Sequence, residues 1–248
     1  MPLIPKKFIV LDRIDSTNNY AMAMVQKGHA SSGDTVFAKE QTSGRGRMGK
    51  LWESKTGENI IQSLLVEMKW LPVQMQFRLS IAVSLGCLDF FSRLIKENIK
   101  IKWPNDIYIN DSKAGGILIE NVIKGNLWQW AVIGIGLNIN QVDFETPLFN
   151  ANSLKKLTGR NYDVIELAKD LSVDVLNRIE KLKSGDFKEM LDEYNRNLFC
   201  RDKIVRLKKG NIVFETKIVR VSETGELITS DVIERSFSTD EVSLQSIE

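Results

Sequence analysis

Short apolar runs alternate with longer helical stretches along this chain, and between them they predict most of its elements. Phe8-Ile9-Val10-Leu11 reads as a strand, and Tyr20 to Gln26 as a helix ending near Gly28. Asp34 to Glu40 and Asn59 to Met68 read as further strands. From Phe77 to Ile95 the apolar residues Phe77, Ile81, Leu85, Leu88, Leu94 and Ile95 recur at roughly helical spacing, which predicts a core-facing helix. Ile99 to Ile109 gives two strand pieces broken at Pro104, and Asn110-Asp111-Ser112 turns the chain into Lys113 to Glu120. Trp128 to Asn140 is another strand, with Gly134 and Gly136 letting something approach its backbone. Val164 to Lys183 and Phe187 to Asn197 read as helices. Strands interleaved with a few helices predict an α+β fold, a mixed β-sheet with helices on one face.

The pattern changes near Leu198. Asp202 to Arg206, Ile212 to Val221, Glu226 to Thr229, Val232 to Phe237 and Val242 to Leu244 are short strands, with turns at Lys209-Gly210-Asn211 and Glu223-Thr224-Gly225. Five strands in so short a span predict a small closed barrel of SH3 type. The expected division is a larger unit over residues 1–197 and a smaller one over 198–248.

Composition narrows the chemistry. At 248 residues, 43% apolar and 27% charged, the chain can bury a real core. No apolar run approaches the roughly 20 residues that span a bilayer. Met1-Pro2-Leu3-Ile4-Pro5-Lys6-Lys7 lacks the apolar stretch of a signal peptide. A net charge of +2 is too small to argue for nucleic acid. Cys87 and Cys200 form no C-x-x-C and read as buried thiols of a reducing cytoplasm. His29 is the only histidine, so a histidine-based triad or zinc site lacks its parts. Chemistry here falls to Arg, Lys, Asp and backbone amides.

Those groups concentrate in Gln41-Thr42-Ser43-Gly44-Arg45-Gly46-Arg47-Met48-Gly49-Lys50-Leu51-Trp52. Glycines let backbone approach a ligand, and Arg45, Arg47 and Lys50 bring fixed positive charge to the same place. Such a run reads as a loop that orders around an anion, or as a solvated basic turn. It fits seven positions of the phosphate-cradling P-loop, but Leu51 stands where the Mg²⁺-holding hydroxyl belongs, and no helix follows. Gly134-Ile135-Gly136-Leu137-Asn138-Ile139 likewise lacks the third glycine of a dinucleotide fingerprint. Two other stretches stand out. Ser16 or Thr17 is a natural helix N-cap, or a hydroxyl offered to a polar ligand at a helix N-terminus. Lys102-Trp103-Pro104-Asn105-Asp106 with Lys113 is either a hairpin with surface lysines or a carboxylate and an ammonium placed near phosphates, Asp106 being suited to hold a divalent ion.

Asp15-Ser16-Thr17-Asn18, Gly44-Arg45-Gly46-Arg47-x-Gly49, Lys102-Trp103-Pro104-Asn105-Asp106, Lys113-x-Gly115-Gly116-Ile117-Leu118-x-Glu120 and Gly134-x-Gly136-x-Asn138 occur together and in order. This set closely resembles the biotin protein ligases, over the chain from about Lys7 to its end. The resemblance implies a catalytic domain related to class II synthetases and an SH3-like C-terminal domain. It implies biotin contacts from Ser16, Thr17, Asn18, Gln41, Gly44, Arg45, Gly46, Arg47, Lys113, Gly116 and Gly134. It assigns ATP or the adenylate to Arg45, Arg47, Lys50, Trp52, Asn105, Asp106, Lys113 and Asn138, with Asp106 at Mg²⁺. Lys113, Arg45 and Arg47 would be the catalytic cations. At Lys50 some relatives have Arg, so the charge is kept and the bidentate fork lost.

The implied chemistry suits these residue types. A carboxylate must approach the α-phosphate of a polyanion, and fixed cations with Mg²⁺ offset the repulsion without a general base. A lysine of a biotin carboxyl carrier protein then takes the acyl group and releases AMP, and an ordered loop keeps water from competing. Fourteen residues precede Asp15, too few for the winged-helix DNA-binding domain of regulatory members, so no DNA is expected as a partner. Dimerisation is left open. The rivals are a lipoate or octanoate ligase of related fold and a non-catalytic partner-binding protein.

Overall fold

The computed structural model describes residues 4–144 and 151–245, so Met1-Pro2-Leu3 of the signal-peptide reading lies outside it. Seven strands form the main sheet: β1 (Phe8–Ile14), β2 (Thr35–Gln41), β3 (Asn59–Glu67), β4 (Ile99–Lys102), β5 (Asp106–Ile109), β6 (Ser112–Lys124) and β7 (Leu127–Asn138). Their order is β1-β2-β3-β7-β6-β5-β4, parallel between β1 and β2 and antiparallel elsewhere. The predicted strands match to within a few residues. The α+β class holds.

Side-chain alternation along β3 separates the two faces of the sheet. Ile60, Leu64 and Val66 point into the main core beneath α2 (Gln76–Leu94) and α4 (Val164–Ser184). Leu65 points the other way, with Val36 and Val132, against Ala21 of α1 (Thr17–Gln26). The long helices thus share one face, and α1 alone lies on the other, over the β3–β7 side. Gly86 of α2 lets the helices meet closely, because a Cβ there would come within 2.7 Å of Val175 Cα on α4. Asp163 caps α4 by accepting from Ile165 N and Glu166 N, and Gly185 ends it with φ of 106°. α3 (Leu154–Thr158), which periodicity misses at five residues, and α5 (Phe187–Arg196) complete the helices.

The C-terminal strands β8 (Ile204–Lys209), β9 (Ile212–Val221), β10 (Leu227–Ser230), β11 (Glu234–Phe237) and β12 (Ser243–Leu244) form a second antiparallel sheet, ordered β11-β10-β9-β8-β12. Trp103 Nε1 donates to Gly225 O at 2.9 Å and ties the two sheets together. Cys87 and Cys200 are buried free thiols, and burial pushes the Cys200 thiol up to about 11.

Candidate active site

On the α1 face, α1 leaves the β7-β6-β5-β4 side of the sheet uncovered, and the glycine-arginine loop and the C-terminal sheet wall that opening. The result is a cleft of about 1050 Å³ lined by Thr17, Arg45, Trp52, Lys113, Gly136 and Val242, among others. A volume at the upper end of small-molecule sites suits a ligand of nucleotide size. Of the residues expected at a site, Ser16, Thr17, Asn18, Gln41, Arg45, Gly46, Arg47, Lys50, Trp52, Asn105, Asp106, Lys113, Gly116, Gly134 and Asn138 all line it. Gly44 does not. A Cβ at Gly44 would meet Trp52 O at 2.3 Å, and Trp52 N donates to Gly44 O at 3.0 Å. Its lack of a side chain lets the base of the loop close.

One end of the cleft is built where α1 begins. Ser16 is the N-cap residue, yet its hydroxyl makes no capping bond. Gln41 of β2 does that work, because its Oε1 accepts from Thr17 N at 2.8 Å and from Thr17 Oγ1 at 3.1 Å. Ser63 Oγ lies 2.7 Å from Thr17 Oγ1 and 2.5 Å from Asn18 Oδ1. Asn18 Nδ2 donates to Glu120 Oε2 at 2.7 Å. Glu120 in turn accepts from Arg45 Nη2 at 3.0 and 3.1 Å, and Asn19 Oδ1 accepts from the same nitrogen at 2.7 Å. Buried Thr17 and Asn18 are therefore wired through Glu120 to the loop. Glu120 and Ser63, which do not line the cleft but brace Asn18, Thr17 and Arg45, were not anticipated from the sequence. Glu120 stands in the glycine motif after Lys113, but Ser63 carries no sequence signal.

The opposite wall holds the charge. Lys113 Nζ pairs with Asp106 Oδ1 at 2.8 Å and lies 5.7 Å from the Trp52 ring. Trp52 packs on the bare backbone of β6 and β7, where a Cβ on Gly136 would come 2.4 Å from its Cε2 and one on Gly116 3.2 Å from its Cζ3. A Cβ on Gly134 would meet Asn18 Oδ1 at 2.6 Å. What approaches these glycines is thus the protein's own Trp52 and Asn18. Trp52 Nε1 is buried against Gly136 with no hydrogen-bond partner among the described residues.

Other expected contacts brace the scaffold. Asn105 Nδ2 donates to Ile117 O at 2.9 Å. Asn138 Nδ2 donates to Asn152 O at 3.0 Å and Lys113 O at 3.4 Å, which holds the Lys113 backbone in place. Arg47 Nη2 reaches both carboxylate oxygens of Asp240 at 2.7 Å, so the C-terminal sheet holds the loop's second arginine. Lys50 is exposed at the rim, and its carbonyl accepts from Gly46 N at 2.7 Å. Among the described residues no three His, Cys, Asp or Glu side chains gather as a metal cage, and Asp106 already has Lys113 as its cation. The carboxylate expected to hold Mg²⁺ is therefore tied to an ammonium in this geometry.

A sheet half-covered by helix, a glycine loop carrying two arginines and a lysine–aspartate pair lining the same cleft mark out the class of ligase domains to which this chain's relatives belong. The chain belongs to the biotin/lipoate A/B protein ligase family, whose model matches residues 10–138. It is 34% identical, over 82% of this chain and 76% of the relative, to the biotin–[acetyl-CoA-carboxylase] ligase of Mycobacterium tuberculosis. It is 28% identical to the bifunctional ligase/repressor BirA of Escherichia coli, over 96% of this chain and 74% of that protein. The fold superposes on the biotin protein ligase of Aquifex aeolicus in complex with biotin and ATP with a TM-score of 0.82, at 26% identity, covering 97% and 99% of the two chains. No helix among the described residues is long and apolar enough to cross a membrane.

Proposed function

We propose that the protein is a biotin protein ligase that activates biotin with ATP to biotinyl-5′-AMP and passes the biotinyl group to a lysine of a biotin carboxyl carrier protein. The observation that carries this reading is the convergence of the Thr17–Asn18 pocket, the Lys113–Asp106 pair and the glycine-arginine loop on one cleft. Residues 1–197 form the catalytic unit and 198–248 the smaller one.

Thr17, Asn18 and Gln41, with Ser16 beside them and Ser63 bracing Thr17 and Asn18, offer the dense, short-range polar groups that a neutral ureido ring requires, and bare Gly134 lets Asn18 sit against the sheet. Lys113 meets the carboxylate and the α-phosphate. In the first step a carboxylate oxygen bonds to the α-phosphorus, and the bond from that phosphorus to the diphosphate breaks. Lys113, Arg45 and Arg47 stabilise the charge on the non-bridging oxygens, and no proton moves. In the second step the acceptor lysine, as a free amine, attacks the acyl carbon, AMP leaves with the bonding pair, and the new amide nitrogen releases its extra proton to solvent. Trp52 and the loop keep water off the mixed anhydride between the steps. Asn105 and Asn138, with their amide nitrogens committed to backbone, present carboxamide oxygens to the nucleotide. Asp106 is the residue that would hold Mg²⁺, which would supply further positive charge against the phosphates.

The test is ATP–pyrophosphate exchange on the purified protein, with biotin or lipoate added. Biotin-dependent exchange is expected. Exchange with lipoate alone would move the substrate to the other branch of the family. A folded protein silent with both would sink the enzymatic reading.

A further inference from the structure

Lys102 is a cation in the cleft that the two steps above leave without work. Paired positions on neighbouring strands carry their side chains on the same face. One such row crosses the sheet as Ile61 (β3), Gly136 (β7), Gly116 (β6), Asp106 (β5) and Lys102 (β4). Ser63, two residues along β3, stands opposite Gly134, where Asn18 packs. The row therefore begins near the Thr17–Asn18 end, passes the glycine floor under Trp52 and the Asp106–Lys113 pair, and ends at Lys102 on the edge strand. At about 4.8 Å between strands, the Lys102 backbone lies roughly 10 Å beyond Gly116. An extended ligand laid along this row would reach the edge strand with whatever follows its α-phosphate.

Lys102 is held in place by a neutral side chain. Its Nζ donates to Tyr108 Oη at 3.0 Å and lies 5.0 Å from that ring, both neutral partners. Among the described residues no carboxylate forms an ion pair with it, because Asp106, directly opposite, gives Oδ1 to Lys113 at 2.8 Å. Phe199 N donates to Ile101 O at 2.8 Å, and the Phe199 ring packs tilted with its centroid 4.8 Å from that of Tyr108, so this segment braces the phenol that holds the ammonium. Burial accordingly holds the Lys102 ammonium below its usual pKa, with Asp106 opposing. A half-buried ammonium hydrogen-bonded to a phenol, with the neighbouring Asp106 committed to Lys113, has given up hydration that an arriving anion would replace.

We propose that Lys102 binds the diphosphate that leaves in the adenylation step, as the second cation behind Lys113. The inference rests on the ligase reading. As the bond to the α-phosphorus breaks, the diphosphate keeps the bonding pair, and Lys102 donates a hydrogen bond to its oxygens without transferring the proton. Tyr108, braced by Phe199, positions the ammonium. Lys102 is then irrelevant to acyl transfer, because the diphosphate has gone by that stage.

The experiment compares wild type with Lys102→Met and Lys102→Arg in two assays. The first is biotin-dependent ATP–pyrophosphate exchange over a range of diphosphate concentrations. The second is transfer to the carrier protein from biotinyl-5′-AMP supplied ready-made. Lys102→Met should raise the KM for diphosphate about tenfold or more, the range of one lost charge-assisted hydrogen bond. Lys102→Arg should recover most of that loss, and transfer from the supplied adenylate should match wild type in both variants. Exchange unchanged in Lys102→Met, or a transfer step slowed as much as exchange, would overturn the assignment. So would a charge-independent loss shared by Lys102→Arg, which marks Lys102 as a packing residue. A wild type with no exchange on biotin fails the ligase reading instead, so the two failures are distinct.

Discussion

Lys113 shows how much one side chain depends on its partner. Its ammonium is held by Asp106 at 2.8 Å and flanked by the Trp52 ring, with a quarter of the side chain exposed. Lys113→Ala should lower exchange by about 10²- to 10³-fold, the usual loss when a group that stabilises transition-state charge is removed. The same change should cost only about 1–2 kcal/mol of stability, mainly from leaving Asp106 without its partner. Exchange rates set against denaturant unfolding check both halves. A variant that melts early yet retains exchange when folded would make Lys113 structural. Residue types reveal this chemistry in the sequence, because a lone histidine and a cluster of Arg and Lys leave few alternatives. The capping of α1 was not legible. Ser16 carries the N-cap signal, but the capping oxygen comes from Gln41, 24 residues from Thr17, on a strand whose position a local pattern does not encode.

Between elements, the long helices hold the sheet from behind and carry a pH-dependent contact. Arg93 near the end of α2 pairs with Asp174 of α4, Nη1 donating to Oδ1 at 2.8 Å. Oδ2 lies 2.6 Å from Arg93 Nη2 at an angle too poor for a hydrogen bond. Burial pushes the Asp174 carboxyl up to about 6, with Asp89 and Asp170 adding to the rise and Arg93 opposing it. A carboxyl raised in the folded state binds its proton there more tightly than in the unfolded chain. Its contribution to stability therefore falls as pH rises from about 4, where the unfolded group titrates, through about 6. Asp174→Asn removes that slope. The melting temperature of Asp174→Asn relative to wild type should climb by a few degrees between pH 4 and 7, the shift expected of about 1 kcal/mol. A difference that stays flat across that window would show that Arg93 compensates the burial. Both helices were readable from periodicity, whereas their close crossing at Gly86 was not, because Val175 meets it from 89 residues away.

Across the whole molecule, the C-terminal unit holds the glycine-arginine loop through Asp240. The Arg47–Asp240 pair joins residues 193 apart, and it is exposed enough to contribute only about 0–1 kcal/mol to stability. Asp240→Ala should therefore leave the melting temperature nearly unchanged while trypsin cuts after Arg45, Arg47 or Lys50 several times faster than in wild type. Unchanged cleavage would mean that the Arg45–Glu120 contact alone holds the loop. By itself the sequence determined what local rules encode. Period and breakers placed the strands, the long helices and the C-terminal run of short strands, and residue types marked which groups carry charge. Tertiary structure decided where those groups meet. The order β3-β7-β6-β5-β4 departs from chain order, and it sets Ile61, Gly136, Gly116, Asp106 and Lys102 in one row. It also brings Asn18 to Glu120 across 102 residues and leaves one face of the sheet open. Hydrophobic period fixes which residues of a strand point inward, but strand neighbours are chosen by burying those faces together over the whole chain. For that reason the glycine loop was visible in the sequence, whereas the cleft it covers existed only once the sheet had formed.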